Sequence, residues 1–377
     1  MEIPNKQVSE NGRQGKRAIR TELPVLGFRN YWYPVMFSKE LKAKPVAERL
    51  LGEELVLLRA NGRACALANR CPHRGTPLSL GKSHFPGTLS CAYHGWTFDT
   101  TGQCVGALLE GPDAVIPRKA RVRSYPVEER GAVIWVYMGE GEPPPVEEDV
   151  PRLLLSPATT RITKRVDWNS NWRPIAENFV DPLHALYLHR GTPLMSSVKV
   201  PGSAKLRVTK TADGKGVHLE YLYGPLEAEY PGLGRYPRIS VLRRLLGRKE
   251  YKFYAEIRMP GYTTVKLPEE GLFFLQCWAP IDENRTRNFY TTAKRVSGLH
   301  QVLLFRLFYF LIASWANDII LLGQDQLMCE SQDYGAEKLS STDVGVIGWR
   351  NFARQNARGV SRETQDLMEG ERLKTGG

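Results

Sequence analysis

The sequence lacks an apolar segment near its N-terminus, since residues 1–20 are mostly polar or charged. A secretory signal is therefore not expected, and we predict a cytoplasmic protein. Cysteine is scarce, with 6 in 377 residues, and disulfides are improbable in that compartment. Metal binding is then the more probable use for some of the cysteines. Internal repeats and low-complexity tracts are also missing, which argues against a repeat architecture.

The sequence also lacks an apolar run long enough to span a membrane. Its most apolar stretch, residues 302–316, is shorter than the roughly 20 residues that a span needs. This stretch contains Arg306 and runs directly into Asn317 and Asp318. We predict a buried or substrate-lining helix here, with a membrane-associated surface as the alternative.

The charge is unbalanced, with a formal net charge of +12. No block of lysine and arginine is interleaved with aromatic residues, so nucleic acid is not the expected partner. An acidic protein partner fits better. Residues 235–252 concentrate basic side chains among Leu and Tyr. This stretch is interpreted as a solvated loop or lid, or as a docking patch for an acidic partner or lipid.

The chain is long enough for two domains. Residues 1–26 look like a polar leader, and residues 27–140 show short β-branched and apolar runs separated by turn residues, which predict an all-β module. Residues 141–155 contain Pro143-Pro144-Pro145 among glutamates, a linker composition. Residues 156–377 mix helical and strand patterns. The predicted fold class is α+β.

The first metal motif consists of two short segments. Cys71-Pro72-His73 is followed, after seventeen intervening residues, by Cys91-Ala92-Tyr93-His94. These side chains fit a tetrahedral zinc site or a Rieske [2Fe–2S] cluster, in which two cysteines hold one iron and two histidines the other. A C-x-H pair is unusual for zinc, which favours the cluster. Glycines follow both segments and allow tight loops.

The second motif lies in residues 171–191, which we expect to be helical around the histidines. His184 and His189 are five residues apart, so an ideal helix would separate them by about 140°, and a local distortion is needed to bring them together. Two imidazoles and one carboxylate make the facial triad of non-haem Fe(II) oxygenases. Asp181, one turn before His184, is suited to brace a ligand histidine.

Together the two motifs resemble those of Rieske non-haem iron oxygenases, the α subunits of ring-hydroxylating systems. The resemblance rests on Cys71-Pro72-His73-Arg74-Gly75, Cys91-Ala92-Tyr93-His94-Gly95-Trp96 and Glu177-Asn178-Phe179-Val180-Asp181-Pro182-Leu183-His184 with His189. It covers roughly residues 27–360, with the motifs in the family's order and separation. It implies a Rieske β-domain and a catalytic domain with a helix-grip fold, an antiparallel sheet covered by helices.

The same resemblance implies a mononuclear Fe(II) whose carboxylate ligand lies downstream on a long helix, in a segment like Gly323-Gln324-Asp325-Gln326-Leu327-Met328-Cys329-Glu330. Asp325 is the predicted ligand, with Asp318 and Glu330 as rivals. Asp181 would link an iron histidine to a cluster histidine of the neighbouring subunit, and Asn178 is assigned with it to the catalytic machinery. Apolar residues expected near the iron are Phe179, Val180, Leu183, Leu186, Tyr187, Phe273, Leu275 and Phe308.

The opening Phe28-Arg29-Asn30-Tyr31-Trp32-Tyr33-Pro34-Val35 and the turn Pro280-Ile281-Asp282-Glu283-Asn284 resemble the carbazole dioxygenase branch, whose oxygenase is a trimer of α subunits. The His184–His189 spacing follows the wider family instead. The implied activity is hydroxylation, by mono- or cis-dihydroxylation, of a small apolar, aromatic or polycyclic substrate with O2. Electrons would come from NAD(P)H through a reductase, an acidic ferredoxin, or both. Oxidative demethylation, or electron transfer without oxygenation, are the alternatives.

Overall fold

The computed structural model describes residues 23–117, 119–189, 204–223, 254–267 and 271–359. The basic stretch 235–252 and most of the leader lie outside these ranges.

The N-terminal part contains ten strands in three antiparallel sheets, ordered β1-β10-β9, β2-β3-β4-β8 and β5-β6-β7. The strands are β1 Tyr31–Phe37, β2 Val46–Leu50, β3 Glu53–Ala60, β4 Arg63–Ala68, β5 Thr88–Ser90, β6 Trp96–Asp99, β7 Cys104–Ala107, β8 Ser124–Tyr125, β9 Val127–Arg130 and β10 Val133–Met138. A tight hairpin turn joins β3 to β4, and Asn61 (φ 50°) and Gly62 (φ 79°) both take the positive φ that it requires.

The C-terminal part is built on a single antiparallel sheet of seven strands, ordered β11-β17-β16-β15-β14-β13-β12. The strands are β11 Thr159–Trp168, β12 Ala204–Lys210, β13 Gly216–Tyr223, β14 Tyr254–Arg258, β15 Tyr262–Leu267, β16 Leu272–Pro280 and β17 Thr286–Arg295. The predicted turn after Pro280 joins β16 to β17. The all-β module followed by a sheet with helices confirms the predicted fold class.

The helices are α1 Arg152–Leu155, α2 Trp172–Val180, α3 Leu183–Tyr187, α4 Leu299–Phe308, α5 Leu322–Ser331 and α6 Val344–Asn356. A π-helical segment, Tyr309–Leu321, joins α4 to α5 in one continuous rod, Leu299–Ser331. Asp343 occupies the N-cap position of α6. Its carboxylate, however, accepts from Ser340 N at 2.5 Å and makes no cap to its own helix.

The segment predicted as a linker is packed against the β-domain. Asp149 is buried, and its Oδ2 accepts a hydrogen bond of 3.0 Å from Trp32 N. Val146, Val150 and Leu154 join the hydrophobic core beside Trp32. Residues 141–155 are therefore an ordered connection, despite a proline- and glutamate-rich composition that is typical of a linker.

The burial predicted for residues 302–316 is wrong for one side of the helix. The rod Leu299–Ser331 is long and apolar enough to cross a membrane by length and composition, and its most apolar part is only 28% buried. Nevertheless, its C-terminal end carries the buried Asp325 in the C-terminal part of the chain. The rod is thus packed against the protein along its inner side and exposes apolar side chains along the outer side of its first half.

A buried ion-pair network holds α2 against α6. The Arg350 guanidinium donates to both Glu177 oxygens, each at 2.7 Å, and to both Glu337 oxygens at 2.6 and 2.7 Å. Bidentate pairs of this kind fix orientation as well as distance. Because α2 leads directly into the histidine segment, the network fixes the position of that segment over the sheet.

Candidate metal centres

Two loops with the same backbone pattern carry the first motif. Cys71 N donates to Thr76 O at 2.9 Å and Gly75 N to Cys71 O at 2.8 Å. In the second loop Cys91 N donates to Trp96 O at 2.8 Å and Gly95 N to Cys91 O at 3.0 Å. Both glycines have positive φ, 74° and 68°, which permits such tight turns. The two loops are therefore near-equivalent halves of one site.

The side chains of these loops meet in pairs, Cys71 with Cys91 and His73 with His94. Cys71 and Cys91 are buried, whereas His73 is exposed and His94 half-exposed. The rings of His73 and His94 lie 4.6 Å apart between centroids. Trp96 stacks on His73 at 4.8 Å and 10°, and Tyr93 packs on His94 at 3.8 Å. Two inner sulfurs and two outer imidazoles are the donor set that a Rieske cluster requires.

Burial, reinforced by the neighbouring Cys91, raises the pKa of the Cys71 thiol to about 11. A thiolate at this position therefore needs a positive charge beside it at neutral pH. Iron supplies such a charge when it binds, since metal coordination deprotonates a thiol outright. The chemistry of the donor set thus fits the cluster.

The second motif lies on the short helices α2 and α3 and on the turn that follows α3. Asn171 caps α2 by accepting from Arg173 N at 3.2 Å, and α2 ends at Val180 because Pro182 follows. The short α3 then ends at Tyr187, so His189 lies in a turn beyond it. The rings of His184 and His189 are consequently only 5.3 Å apart. The distortion required by their spacing is present.

Asp325, from α5, completes the group. Its Oδ1 lies 3.4 Å from His184 Nε2 and 3.1 Å from His189 Nε2. Ligand atoms of all three residues lie within 4.8 Å of one another. Asp325 and His189 are buried, and His184 is largely so. The structure therefore brings the two predicted histidines and the predicted carboxylate to one point.

Hydrogen bonds at the far side of each ring select the tautomer. His184 Nδ1 donates to the main-chain carbonyl of Asp181, and His189 Nδ1 donates to Gln324 Oε1 at 2.9 Å. In the neutral rings each Nε2 then directs a lone pair towards the Asp325 carboxylate. Two lone pairs facing an anion repel it, and a cation between them removes the repulsion. The arrangement fits a divalent metal.

In the metal-free protein the positive charge of a protonated imidazole takes the place of the cation. Burial favours a higher pKa for Asp325, but hydrogen bonds and charge from His184 and His189 outweigh it and lower the pKa below the usual range. For His184, burial lowers the pKa, and interactions with Asp325 and Asp181 more than compensate, so the pKa is raised. The carboxylate is thus anionic at neutral pH, as a ligand must be.

The rivals of Asp325 are engaged elsewhere. Asp318 pairs with Lys164 Nζ at 2.6 Å and accepts from the Tyr309 hydroxyl. Glu330 accepts from Asn169 N at 2.9 Å and Gln326 Nε2 at 2.8 Å. Gln324 was missed by the sequence reasoning. In the sequence only its position directly before Asp325 pointed to Gln324. That position does not show which histidine ring the Gln324 amide contacts.

Asp181 and Asn178 lie beside the group. The Asp181 carboxylate accepts from Leu183 N at 3.2 Å, so its contact with His184 is made by the main chain. Burial, and to a lesser degree Asp343, raise the pKa of that carboxyl. Asn178 Nδ2 is buried and has no hydrogen-bond partner among the described residues.

The apolar residues expected near the iron divide by environment. Val180, Phe273 and Leu275 are buried, whereas Tyr187 and Phe308 are exposed. Phe179 and Leu183 are partly buried. The Leu186 side chain lies outside the described atoms.

A cluster-type pair of loops and a two-histidine, one-carboxylate group in one chain define a class of redox enzyme with two iron centres. The model of the Rieske [2Fe-2S] domain matches residues 31–126, and that of the homotrimeric ring hydroxylases matches residues 137–203. The chain is 30% identical over 355 residues to the carbazole 1,9a-dioxygenase terminal oxygenase of Sphingomonas sp, covering 89% of this chain and 93% of that protein. The corresponding protein of Metapseudomonas resinovorans is 28% identical over 365 residues, covering 92% and 94%.

Solved structures agree with the sequence relatives. The terminal oxygenase of carbazole 1,9a-dioxygenase from Nocardioides aromaticivorans has a TM-score of 0.73 at 28% identity, covering 90% of this chain and 97% of that one. A reduced oxygenase–ferredoxin complex of carbazole 1,9a-dioxygenase has a TM-score of 0.74 at 25% identity, covering 90% and 92%. The chain belongs to the Rieske non-haem iron oxygenases, the α subunits of ring-hydroxylating systems. It is an oxidoreductase that incorporates molecular oxygen and uses a [2Fe–2S] cluster and a mononuclear iron.

The Gln324–His189 hydrogen bond leads to a first prediction. Replacing Gln324 with leucine should weaken Fe(II) binding about 10- to 100-fold, the usual effect of losing a hydrogen-bond partner of a ligand histidine. Iron titration of apoprotein, with the cluster's absorption as internal reference, measures the effect. Gln324→Glu keeps an acceptor and should retain most of the affinity. Gln326→Leu, two residues on, is the matched control, and equal iron affinity in both leucine variants would disprove the role.

Proposed function

We propose that this chain is the terminal oxygenase of a multicomponent system that hydroxylates an apolar aromatic or polycyclic compound. Cys71, His73, Cys91 and His94 would hold the cluster. His184, His189 and Asp325 would hold the mononuclear iron. The observation that carries the proposal is the convergence of the last three side chains, with ligand atoms within 4.8 Å of one another, in a chain that also carries the cluster loops.

The protein residues would position and insulate the two centres. Gln324 and the Asp181 carbonyl hold the two imidazoles in the tautomer that presents Nε2. Asp325 supplies the negative charge that balances a divalent ion. The iron centres supply electron transfer and O2 activation when bound, and this division of labour is general for cofactor enzymes. Three protein ligands would leave coordination positions open, which O2 chemistry needs.

The proposed substrate class and partners follow the relatives. The named relatives are oxygenase components of carbazole 1,9a-dioxygenase, and several solved structures are complexes of that oxygenase with its ferredoxin. We infer an apolar aromatic substrate, a ferredoxin or reductase as electron donor, and a cytoplasmic location. The match to the homotrimeric ring hydroxylases supports a homotrimer. The net charge of +12 suits an acidic donor.

The proposed division of the chain is a Rieske domain at residues 27–140, a connection at 141–155 and a catalytic domain at 156–377, after a leader at 1–26. In support, the three small sheets lie between Tyr31 and Met138, and the large sheet lies between Thr159 and Arg295.

Incubation with labelled oxygen tests the function. The purified chain, with a reductase system and NADH, is incubated with carbazole and other polycyclic compounds under ¹⁸O2, and products are analysed by mass spectrometry. One incorporated label indicates monohydroxylation, and two indicate dihydroxylation. Aldehyde release with loss of an alkyl group would favour demethylation. Cluster reduction without any oxygenated product across the panel would favour the electron carrier.

Asp181 leads to a second prediction. Asp181→Asn should retain both iron centres yet lose most turnover, about 10- to 100-fold, because the amide lacks the charge that acts on His184 and one acceptor site for a histidine of the neighbouring subunit. Single-turnover oxidation of the reduced cluster measures electron transfer directly. Asp343→Asn is the control, because it removes a nearby negative charge that raises the pKa of Asp181. Cluster oxidation at the wild-type rate in Asp181→Asn would refute the bridge.

A further inference from the structure

The first half of the long helical rod presents an uncovered apolar face. Side chains spaced four residues apart form a stripe, and each is 52–74% exposed. They are Leu299, Leu303, Leu307, Leu311, Trp315 and Ile319. Leu304, Phe308 and Ile312 form a second exposed stripe beside it. Contiguous exposure of this extent is rare on soluble monomers and marks an interaction surface.

The opposite side of the rod is packed into the protein. Phe305, Tyr309 and Ala313, which are also four residues apart, are 1–3% exposed. Lys164 lies over the Tyr309 ring at 5.5 Å and pairs with Asp318 at 2.6 Å, which anchors the rod to β11. The rod is therefore fixed by one side, and its exposed stripes face outward as a rigid surface.

The charges around this surface indicate what kind of partner would bind it. Between Val296 and Asn317 the sequence has no acidic residue, and Arg306 is exposed among the leucines. Arg295 is exposed just before the rod begins, and the chain as a whole carries +12. An apolar face bordered by cations fits the boundary between acyl chains and anionic headgroups, where arginine extends to phosphate and tryptophan is favoured.

A second copy of the chain fits this surface less well. A copy that met this face across a two-fold axis would bring its own Arg306 to the same apolar interface and bury both guanidiniums without a counter-charge, which is costly. A different apolar surface is available near the cluster loops, where Leu80, Phe85, Tyr93 and Leu109 are exposed. That surface lies where a protein exchanging electrons with the cluster must dock.

We propose that residues 299–319 form a monotopic docking face for anionic phospholipid membranes. The rod lies in the headgroup region without crossing it, since its inner side is packed on β11 and its C-terminal half carries the buried Asp325. This inference goes beyond the oxygenase function and does not rest on it. A membrane bound to this face would lie close to the candidate iron site. Ile319, at the end of the face, and Asp325 are about 9 Å apart along the helix axis at 1.5 Å per residue.

Vesicle flotation of the holoprotein tests the proposal. Wild type should float with vesicles of phosphatidylethanolamine and phosphatidylglycerol, and much less with phosphatidylcholine alone. Leu307→Glu combined with Leu311→Glu should reduce flotation at least about ten-fold, because two leucines that would enter the lipid are lost and two anions are added. Val115→Glu, at an apolar site outside the rod that is more exposed than either leucine, is the control and should float as wild type does.

Two further measurements keep the outcome unambiguous. Among the eight tryptophans, Trp315 is the exposed one, so brominated lipids should quench a component of the fluorescence that Trp315→Phe removes. Iron content and light-scattering mass of the double variant should match wild type. Failure of wild type to float would overturn the proposal. A change in oligomeric state in the double variant, without lipid dependence, would assign the face to a second copy of the chain.

Discussion

Replacement of Asp325 with alanine is expected to remove the mononuclear iron and abolish oxygenation, while the cluster's visible absorption stays at the wild-type level. The carboxylate is the one anionic group within reach of both His184 and His189 in the described structure, at 3.4 and 3.1 Å. Its loss leaves two neutral imidazoles, a weak site for a divalent ion. The loss in iron affinity should exceed the roughly 10- to 100-fold effect of removing a hydrogen-bond partner of a ligand.

Iron and acid-labile sulfide analysis, together with turnover under chemical reduction, measures this result. Asp318→Asn is the control, because Asp318 is a carboxylate on the same rod that pairs with Lys164 instead. That variant should keep its iron. His189→Ala should behave as Asp325→Ala does. If Asp325→Ala kept full iron and activity while Asp318→Asn lost them, the ligand assignment would be wrong.

Replacement of Cys91 with serine is expected to remove the cluster, leaving a pale protein without a Rieske EPR signal after reduction. The two cysteine loops share one backbone pattern, and removal of a sulfur from either half breaks the site. The mononuclear iron should remain, because its candidate ligands lie on α3, the turn after it, and α5. Turnover with the reductase should fall to background, since no electrons reach that iron.

Cys104→Ser is the matched control for this variant. Cys104 is buried in the same hydrophobic core as Cys71 and Cys91, but it lies outside the loops. The Cys104→Ser substitution should lower the free energy of unfolding somewhat and leave the EPR signal unchanged. Zinc in the purified wild type, without acid-labile sulfide, would contradict the cluster assignment itself.

Much of the site was predictable because its chemistry is encoded locally. The spacing within Cys71–His73 and Cys91–His94, with a glycine after each, specifies two tight loops whatever surrounds them. Helix α3 ends at Tyr187, between the two histidines, so the turn that brings His189 back towards His184 is also a local property. The turn at Asn61-Gly62 and the strands on either side of it follow from the same short-range rules.

Other features were decided by contacts between distant parts of the chain. Asp318, Asp325 and Glu330 lie on one rod, and the sequence did not rank them by itself. The helix packing directs Asp325 towards the histidines and leaves Asp318 with Lys164. Gln324 became visible as a partner of His189 only when residues 135 positions apart in sequence were brought together.

Residues 302–316 show the same division most clearly. Their composition determined a helix but did not determine what covers it, and the expectation of burial was wrong for the outward side. A nearly uniform apolar run has little periodicity to distinguish one face from another. Only the packing of Phe305, Tyr309 and Ala313 against the domain decides which side is left exposed. The sequence determined the metal donors and the local backbone around them, whereas tertiary packing decided which acid joins them and which apolar face remains outside.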